Sequence, residues 1–260
     1  MLTEAEHRQY QPPSAVLKGR VVAITGAGDG IGRTLALSCV RHGAQLVLIG
    51  RNIKKLEALH AEITALGTAS APVAEATIAP LDLERALAGD YDQLAAAVLE
   101  RYGRLDGLVH NAGQLGVLAP IEHADMVNWC RVLHVNLTAA FALTQVLLPT
   151  LRASNDASII FTSSSVGRRG RANWGAYAVS KFGVEGLSQV LADELSGNST
   201  VRVNVLNPGA VRTRMRRQAF PAENTEQLVE PAAIMNSYLW LLGPASRGVT
   251  GQSLDCQPPR

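Results

Sequence analysis

Cysteine is scarce in this chain: there are three among 260 residues, Cys39, Cys130 and Cys256, odd in number and far apart. That excludes a disulfide framework and any zinc-ligand spacing, and leaves inert thiols in a reducing compartment as the expectation. No metal site is expected. Charge of one sign is lacking too. The formal net charge is +2, so no strong field recruits nucleic acid or a membrane surface. Aromatic residues make up 5% of the chain and do not interleave with its basic residues, which argues further against nucleic-acid binding. No apolar run is read as long enough to span a bilayer, and the polar start from Met1 to Tyr10 has no signal-peptide character. The expected compartment is the cytoplasm.

What is present suits a large core. The chain is 47% hydrophobic and 18% charged. Its length allows one large α/β domain or two small ones. Residues 1–19, with the Pro12-Pro13 pair, read as an irregular arm. From residue 20 onward, short β-branched runs alternate with stretches of helical periodicity. Strands are expected at 20–25, 45–49, 77–81, 107–110, 158–162, 201–206 and 253–256. Helices are expected at 30–41, 53–66, 90–102, as a pair over 123–151, and at 173–195 and 231–242. This alternation predicts an α/β fold: one doubly wound parallel sheet of the Rossmann type over 20–260, with helices on both faces and right-handed crossovers.

Ligands of such sheets bind beyond the carboxyl ends of the strands. Four chemically informative segments fall there: 25–32, 110–113, 162–165 and 207–213. The first reads Thr25-Gly26-Ala27-Gly28-Asp29-Gly30-Ile31-Gly32. Glycines permit a tight turn and close approach of the backbone to a pyrophosphate, while the following helix offers free N–H groups and a positive dipole end. The strict G-x-G-x-x-G fingerprint is not met, because Arg33 stands where the third glycine would be, and no Walker lysine follows. A glycine turn alone is often only a tight loop. Between the first strand and first helix of an alternating chain, it reads as a dinucleotide cradle.

The pattern T-G-x-x-x-G-x-G resembles the short-chain dehydrogenase/reductase family, and the resemblance extends over nearly the whole chain. His110-Asn111-Ala112-Gly113 resembles the family's N-N-A-G segment, with histidine in first place. Asn136 stands where the family carries a helix asparagine. Tyr177 and Lys181 form its Y-x-x-x-K signature, and Ser164 lies the usual thirteen residues before Tyr177. Pro208-Gly209 with Thr213 resembles its P-G-x-x-x-T. The stretches 163–181 and 207–215 and the ending Asp255-Cys256-Gln257-Pro258 are similar, more narrowly, to YciK-type bacterial oxidoreductases, a likeness that brings no established substrate.

The resemblance implies hydride transfer between a nicotinamide cofactor and a small carbonyl or alcohol substrate. It implies catalytic roles for Asn136, Ser164, Tyr177 and Lys181, with a water held at Asn136 linking Lys181 to solvent. Cofactor contacts are implied for Gly26, Gly28, Asp29, Gly30, Ile31 and Gly32, for Asp82 and Leu83 at the adenine, and for Asn111, Ala112 and Gly113 along the adenosine. Pro208, Gly209 and Thr213 complete the cofactor set, and Lys181 holds the nicotinamide ribose. A homodimer or homotetramer through helices near 132–151 and 173–195 is implied as well.

Residue chemistry refines this reading. An acid after the second strand accepts from the ribose 2′-hydroxyl of NAD(H) and repels the 2′-phosphate of NADP(H). Here Gly50-Arg51-Asn52 lacks the acid and places a guanidinium there, which favours NADP(H), with Arg33 as a helper. Asp29 is a counter-signal. A phenol, with a pKa near 10 in model peptides, must be tuned to work near neutrality; Lys181, one helical turn from Tyr177, is expected to lower its pKa. Taken singly, each residue has a plainer explanation: a Tyr–Lys pair on a helix surface, a serine turn at 163–165, a helix-start asparagine. Ser163 and Ser165 are rivals to Ser164, which the spacing favours.

Two arginine runs, Arg168, Arg169, Arg171 and Arg212, Arg214, Arg216, Arg217, leave open an anionic substrate, although a solvated loop is the simpler expectation. Trp174, one turn before Tyr177, is a candidate pocket wall. An NADP(H)-binding sensor with little turnover is the alternative function. Sugar-nucleotide epimerases share the turn and the Y-x-x-x-K pair but usually need a longer C-terminal region.

Overall fold

The computed structural model describes residues 6–67 and 75–258. Runs of valine, isoleucine and leucine too short for helices and bounded by glycine or polar turns give seven strands: β1 Val21–Thr25, β2 Gln45–Gly50, β3 Ala76–Pro80, β4 Gly107–His110, β5 Ser158–Thr162, β6 Arg202–Asn207 and β7 Ser253–Asp255. They pair in parallel in one sheet of order β3-β2-β1-β4-β5-β6-β7. β1, β5 and β6 are buried along their whole length, as parallel strands covered on both faces must be. The strand order reverses between β1 and β4, and a crevice opens at their carboxyl ends.

Helices cover both faces. α1 is Glu6–Gln9, α2 Gly30–Arg41, α3 Ile53–Ala65, α4 Ala88–Tyr102, α5 Met126–Leu133, α6 Ala139–Arg152, α7 Gly175–Glu194, α8 Arg214–Ala219 and α9 Met235–Leu242. One core cluster joins the sheet to α2, α3 and α9 through Leu35, Leu56 and Tyr238. The other joins it to α4, α6 and α7 through Val98, Leu143 and Val184. α2 starts at Asp29, whose carboxylate accepts from Gly30 N, and chain reversal after it uses Gly43 at φ +90°.

At the amino ends of the strands, Asp156 gathers three arginines. It pairs with Arg20, and both Arg202 Nε and Arg247 Nε approach its carboxylate at 3.1 Å. Burial raises the pKa of this carboxyl, but Arg202, Arg20 and Arg247 together outweigh burial and hold it below the usual range.

Three elements differ from expectation. Residues 1–5 of the arm lie outside the described residues, but its remainder is not wholly irregular. α1 forms one turn against α9, with His7 Nδ1 2.9 Å from Ser237 Oγ. The helix pair expected over 123–151 is one continuous helix, Met126–Arg152, in which a π-turn at His134–Thr138 joins α5 to α6. At 27 residues it is long and apolar enough to cross a membrane by length and composition, contrary to the sequence reading. Core packing accounts for that character, since Val132, Leu143, Leu147 and Leu151 are fully buried. Finally, α8 had no counterpart in the sequence reading.

Candidate active site

The crevice is a cleft of about 920 Å³. Of the residues named from sequence, it is lined by Gly26, Gly28, Asp29, Gly30, Ile31, Arg51, Asp82, Leu83, Asn111, Ala112, Gly113, Tyr177, Lys181, Pro208 and Thr213. Gly32, Asn136, Ser164 and Gly209 are not in the lining.

The glycine turn is a cradle that side chains would fill. Gly26 sits at φ +66°, and a Cβ on Gly32 would stand 2.3 Å from the Gly26 carbonyl oxygen and 2.5 Å from Asn111 Nδ2. The turn is locked to the end of β4. Thr25 Oγ1 accepts from the backbone N–H groups of Asn111 and Ala112 at 3.0 Å, and Asn111 Nδ2 donates to Thr25 O at 3.1 Å. Its lack of Cβ atoms, beside the start of α2, fits close approach of a pyrophosphate. Asp29, expected among the cofactor contacts, also pairs with Lys55. That bond, with burial opposing it, holds the carboxyl below its ordinary range.

At the far end of the cleft, Arg51 is well exposed, and its Nη1 lies 3.4 Å from Glu84 Oε2. Glu84 accepts from Gln114 Nε2 at 2.9 Å, and this bond is the main cause that holds its carboxyl low. Asp82 Oδ1 accepts from the Glu84 backbone N–H at 3.1 Å, which fixes the loop after β3. Arg33 does not join Arg51: it pairs with Glu62 outside the cleft lining, because α2 carries it toward α3. Lys55, Glu84 and Gln114 were missed by sequence reasoning. Lys54 and Lys55 both fall in the first turn of α3, so the sequence did not single out Lys55.

At the reacting end, α7 brings Tyr177 and Lys181 into the cleft, both buried. Lys181 Nζ donates to Thr162 O at 2.6 Å and lies 5.7 Å from the centroid of the Tyr177 ring. Burial pushes the Tyr177 phenol up to about 12, and a hydrogen bond with Ser164 pulls the other way. Burial pushes Lys181 down to about 8, with Glu185 opposing. The expectation that Lys181 lowers Tyr177 is therefore corrected. In this state burial dominates the phenol, and its hydrogen-bonded partner is Ser164.

Asn136 sits in the π-turn with its side chain engaged. Its Oδ1 accepts from Gln114 N at 2.7 Å, and its Nδ2 donates to Gln114 O and Ser180 Oγ at 2.9 Å each. The side chain thus clamps the loop after β4 to α7. Ser163 Oγ is buried in the cleft lining, with no hydrogen-bond partner among the described residues. His110, where the family has asparagine, stacks on Phe161 at 4.7 Å, and its Nε2 lies 2.8 Å from Thr144 Oγ1. Burial, then the charge of Lys181, lowers its pKa to about 3, so it stays neutral. Trp174 meets Tyr177 edge-on at 5.8 Å.

Known proteins resemble this chain in sequence and fold. The model of the short chain dehydrogenase family matches residues 20–224. The oxidoreductase YciK of Escherichia coli K12 is 47% identical over 255 residues, 96% of this chain and 97% of that protein. A short chain dehydrogenase structure from Pseudomonas syringae superposes with a TM-score of 0.91 at 49% identity, covering 96% of this chain and 99% of that one. One from Escherichia coli CFT073, complexed with NADPH, superposes with a TM-score of 0.89 at 47% identity, covering 95% and 100%. The chain belongs to the short chain dehydrogenase family of oxidoreductases.

Proposed function

We propose that this protein is an NADP(H)-dependent oxidoreductase acting on a carbonyl or alcohol, with Tyr177 as its proton-transferring group. The observation that carries the reading is the buried Tyr177 hydroxyl, hydrogen-bonded to Ser164 and opening on a cleft that ends in a glycine cradle. A nicotinamide cofactor, when bound, supplies or accepts the hydride. The chain's own groups do the rest. The turn from Gly26 to Gly32 and the start of α2 bind the pyrophosphate, with Pro208, Gly209 and Thr213 closing the opposite side. Asp82, Leu83 and Asn111 hold the adenosine, and Arg51 offers a forked pair of donors to the 2′-phosphate. The solved relatives complexed with NADP and with NADPH support this choice over NAD(H).

Lys181 holds the nicotinamide ribose, and Ser164 orients the substrate oxygen and stabilises charge developing on it. Tyr177, raised by burial, keeps its proton at neutral pH and gives it to the substrate oxygen when a carbonyl is reduced. Asn136 acts as a positioning residue through Gln114 and Ser180. The same reading places the enzyme in the cytoplasm as a homodimer or homotetramer; exposed Phe141 on α6 and Val179 and Phe182 on α7 support a partner subunit there.

Tyr177→Phe tests it. In a screen of ketones and aldehydes with NADPH, the variant is expected to lose turnover by about 10²–10⁴-fold, while its NADPH affinity stays within about twofold of wild type. Turnover retained near the wild-type rate would contradict the role.

A further inference from the structure

We propose that the reacting end of the cleft takes an uncharged, bulky, apolar ketone or secondary alcohol, and excludes carboxylates, phosphates and acyl-carrier thioesters. The inference rests on the oxidoreductase reading above and names the substrate class of that site.

The first observation is the wall. Tyr177 belongs to a buried cluster with Leu115, Val166 and Ala178, and Leu118, Trp174 and Met215 pack against it. Of these, Leu115 and Leu118 from the loop after β4 and Met215 from α8 line the cleft with Tyr177, whereas Val166, Ala178 and Trp174 do not, so apolar side chains face the reacting space from two sides.

The second observation is the fate of the arginines that surround it. Arg168 is held by Asp255 at 2.8 Å and Glu185 at 3.3 Å. Arg212 meets Glu230 at 2.7 Å and donates to Thr225 O at 2.9 Å. Arg216 grips Glu223, Nε to Oε2 at 2.6 Å, and lies 3.8 Å from the centroid of the Phe220 ring. Arg171 lies 5.6 Å from the Trp174 ring centroid and 5.1 Å from that of Phe220. None of these four lines the cleft. Arg171, Arg212 and Arg216 hold α8 and the segment after it, and Arg168 ties its own loop to α7 and β7. Three other arginines do line the cleft: the charges of Arg51 and Arg131 act on Glu84 and that of Arg214 on Asp29, carboxylates that stand toward the adenosine and pyrophosphate end.

An anionic group beside Tyr177 would therefore lose its water with no arginine to replace it, and the ammonium there, Lys181, is already engaged by the Thr162 carbonyl. An apolar ketone gains by displacing water from the same wall. In the reaction, the carbonyl carbon gains the hydride given up as NADPH becomes NADP⁺. The C=O π bond becomes a C–O single bond, and the oxygen takes the Tyr177 proton, which solvent restores.

The test compares 4-methylcyclohexanone with 4-oxocyclohexanecarboxylate, matched in ring and carbonyl, using wild type, Met215→Lys and Met215→Leu with NADPH. The expected result is a kcat/KM for the uncharged ketone at least about tenfold above that of the carboxylate. Met215→Lys is expected to shrink or reverse that ratio, and Met215→Leu to keep it. A preference for the carboxylate in wild type would overturn the proposal, as would a selective loss of carboxylate turnover in Arg171→Ala or Arg216→Ala. If neither compound turns over, a thermal-shift titration of the NADPH-saturated protein decides. Stabilisation by the uncharged ketone alone supports the proposal, and its absence overturns it. Failure of the underlying reading shows differently, as no response to NADPH itself.

Discussion

Lys181 is the costliest side chain in the cleft to keep charged. It is buried, donates to the Thr162 carbonyl, and has its pKa pushed down to about 8 by desolvation. Because the folded-state value lies below the unfolded one, near 10.4, the folded chain binds fewer protons between about pH 8 and 10.4, and this group makes stability rise with pH across that window. Below it, the ammonium is kept at a cost. Lys181→Met, which keeps the volume and removes the charge, is expected to stabilise the protein at pH 7 by on the order of 1–3 kcal/mol, about 2–10 °C in Tm, while abolishing turnover. A lower Tm in thermal denaturation would contradict it. Tyr177, Lys181 and Ser164 were legible as residues, because a fixed interval and a one-turn spacing mark them. Their electrostatics were not. Whether a neighbouring charge or burial governs a phenol depends on depth, which no spacing records. Ser163 was named only as a rival to Ser164; that its hydroxyl lies in the lining, unpartnered among the described residues, is a fact of packing.

At the scale of elements, the turn between β1 and α2 carries the tightest constraint. A Cβ on Gly32 would meet backbone atoms of Gly26 at 2.3 Å, and neither can move without opening the turn. At Gly28 the nearest atom would be a side-chain carbon of Lys55 at 3.1 Å. Gly32→Ala is therefore expected to cost about 1–3 kcal/mol of stability and to abolish NADPH binding, whereas Gly28→Ala leaves the fold intact. Equal denaturation midpoints for Gly32→Ala and wild type would contradict this account of the cradle.

Strands and long helices were readable because period 2, period 3.6 and glycine stops agree over many residues. Elements without such agreement were not. α8, Arg-Met-Arg-Arg-Gln-Ala, has no apolar stripe and only Thr213 as a cap, its side chain accepting from Arg216 N. α1 is four residues long, too short to show a period. The π-turn at 134–138 adds a residue to one turn and shifts the apolar stripe, so one helix reads as two.

At the scale of the molecule, residues from 26 to 218 meet in one cleft because parallel strands all end on the same side. This convergence was the most legible feature of all, since it follows from strand order and not from any single contact. The contacts around the cleft were the least legible: Asn136 reaching Gln114 and Ser180, Glu84 joining Arg51 to Gln114, and Arg33 turning away to Glu62 are contacts between elements that sequence separation conceals.

The cleft as a whole makes one claim, that it is an NADP(H) site whose preference is set at Arg51. Parallel titrations of the purified protein with NADPH and NADH, followed by tryptophan quenching and calorimetry, test it most directly. NADPH is expected to bind at least about tenfold more tightly, a difference of roughly 1.4 kcal/mol, and Arg51→Ala is expected to remove most of that preference while sparing NADH. Equal or tighter binding of NADH would contradict the assignment of Arg51. Binding of neither would contradict the oxidoreductase account itself.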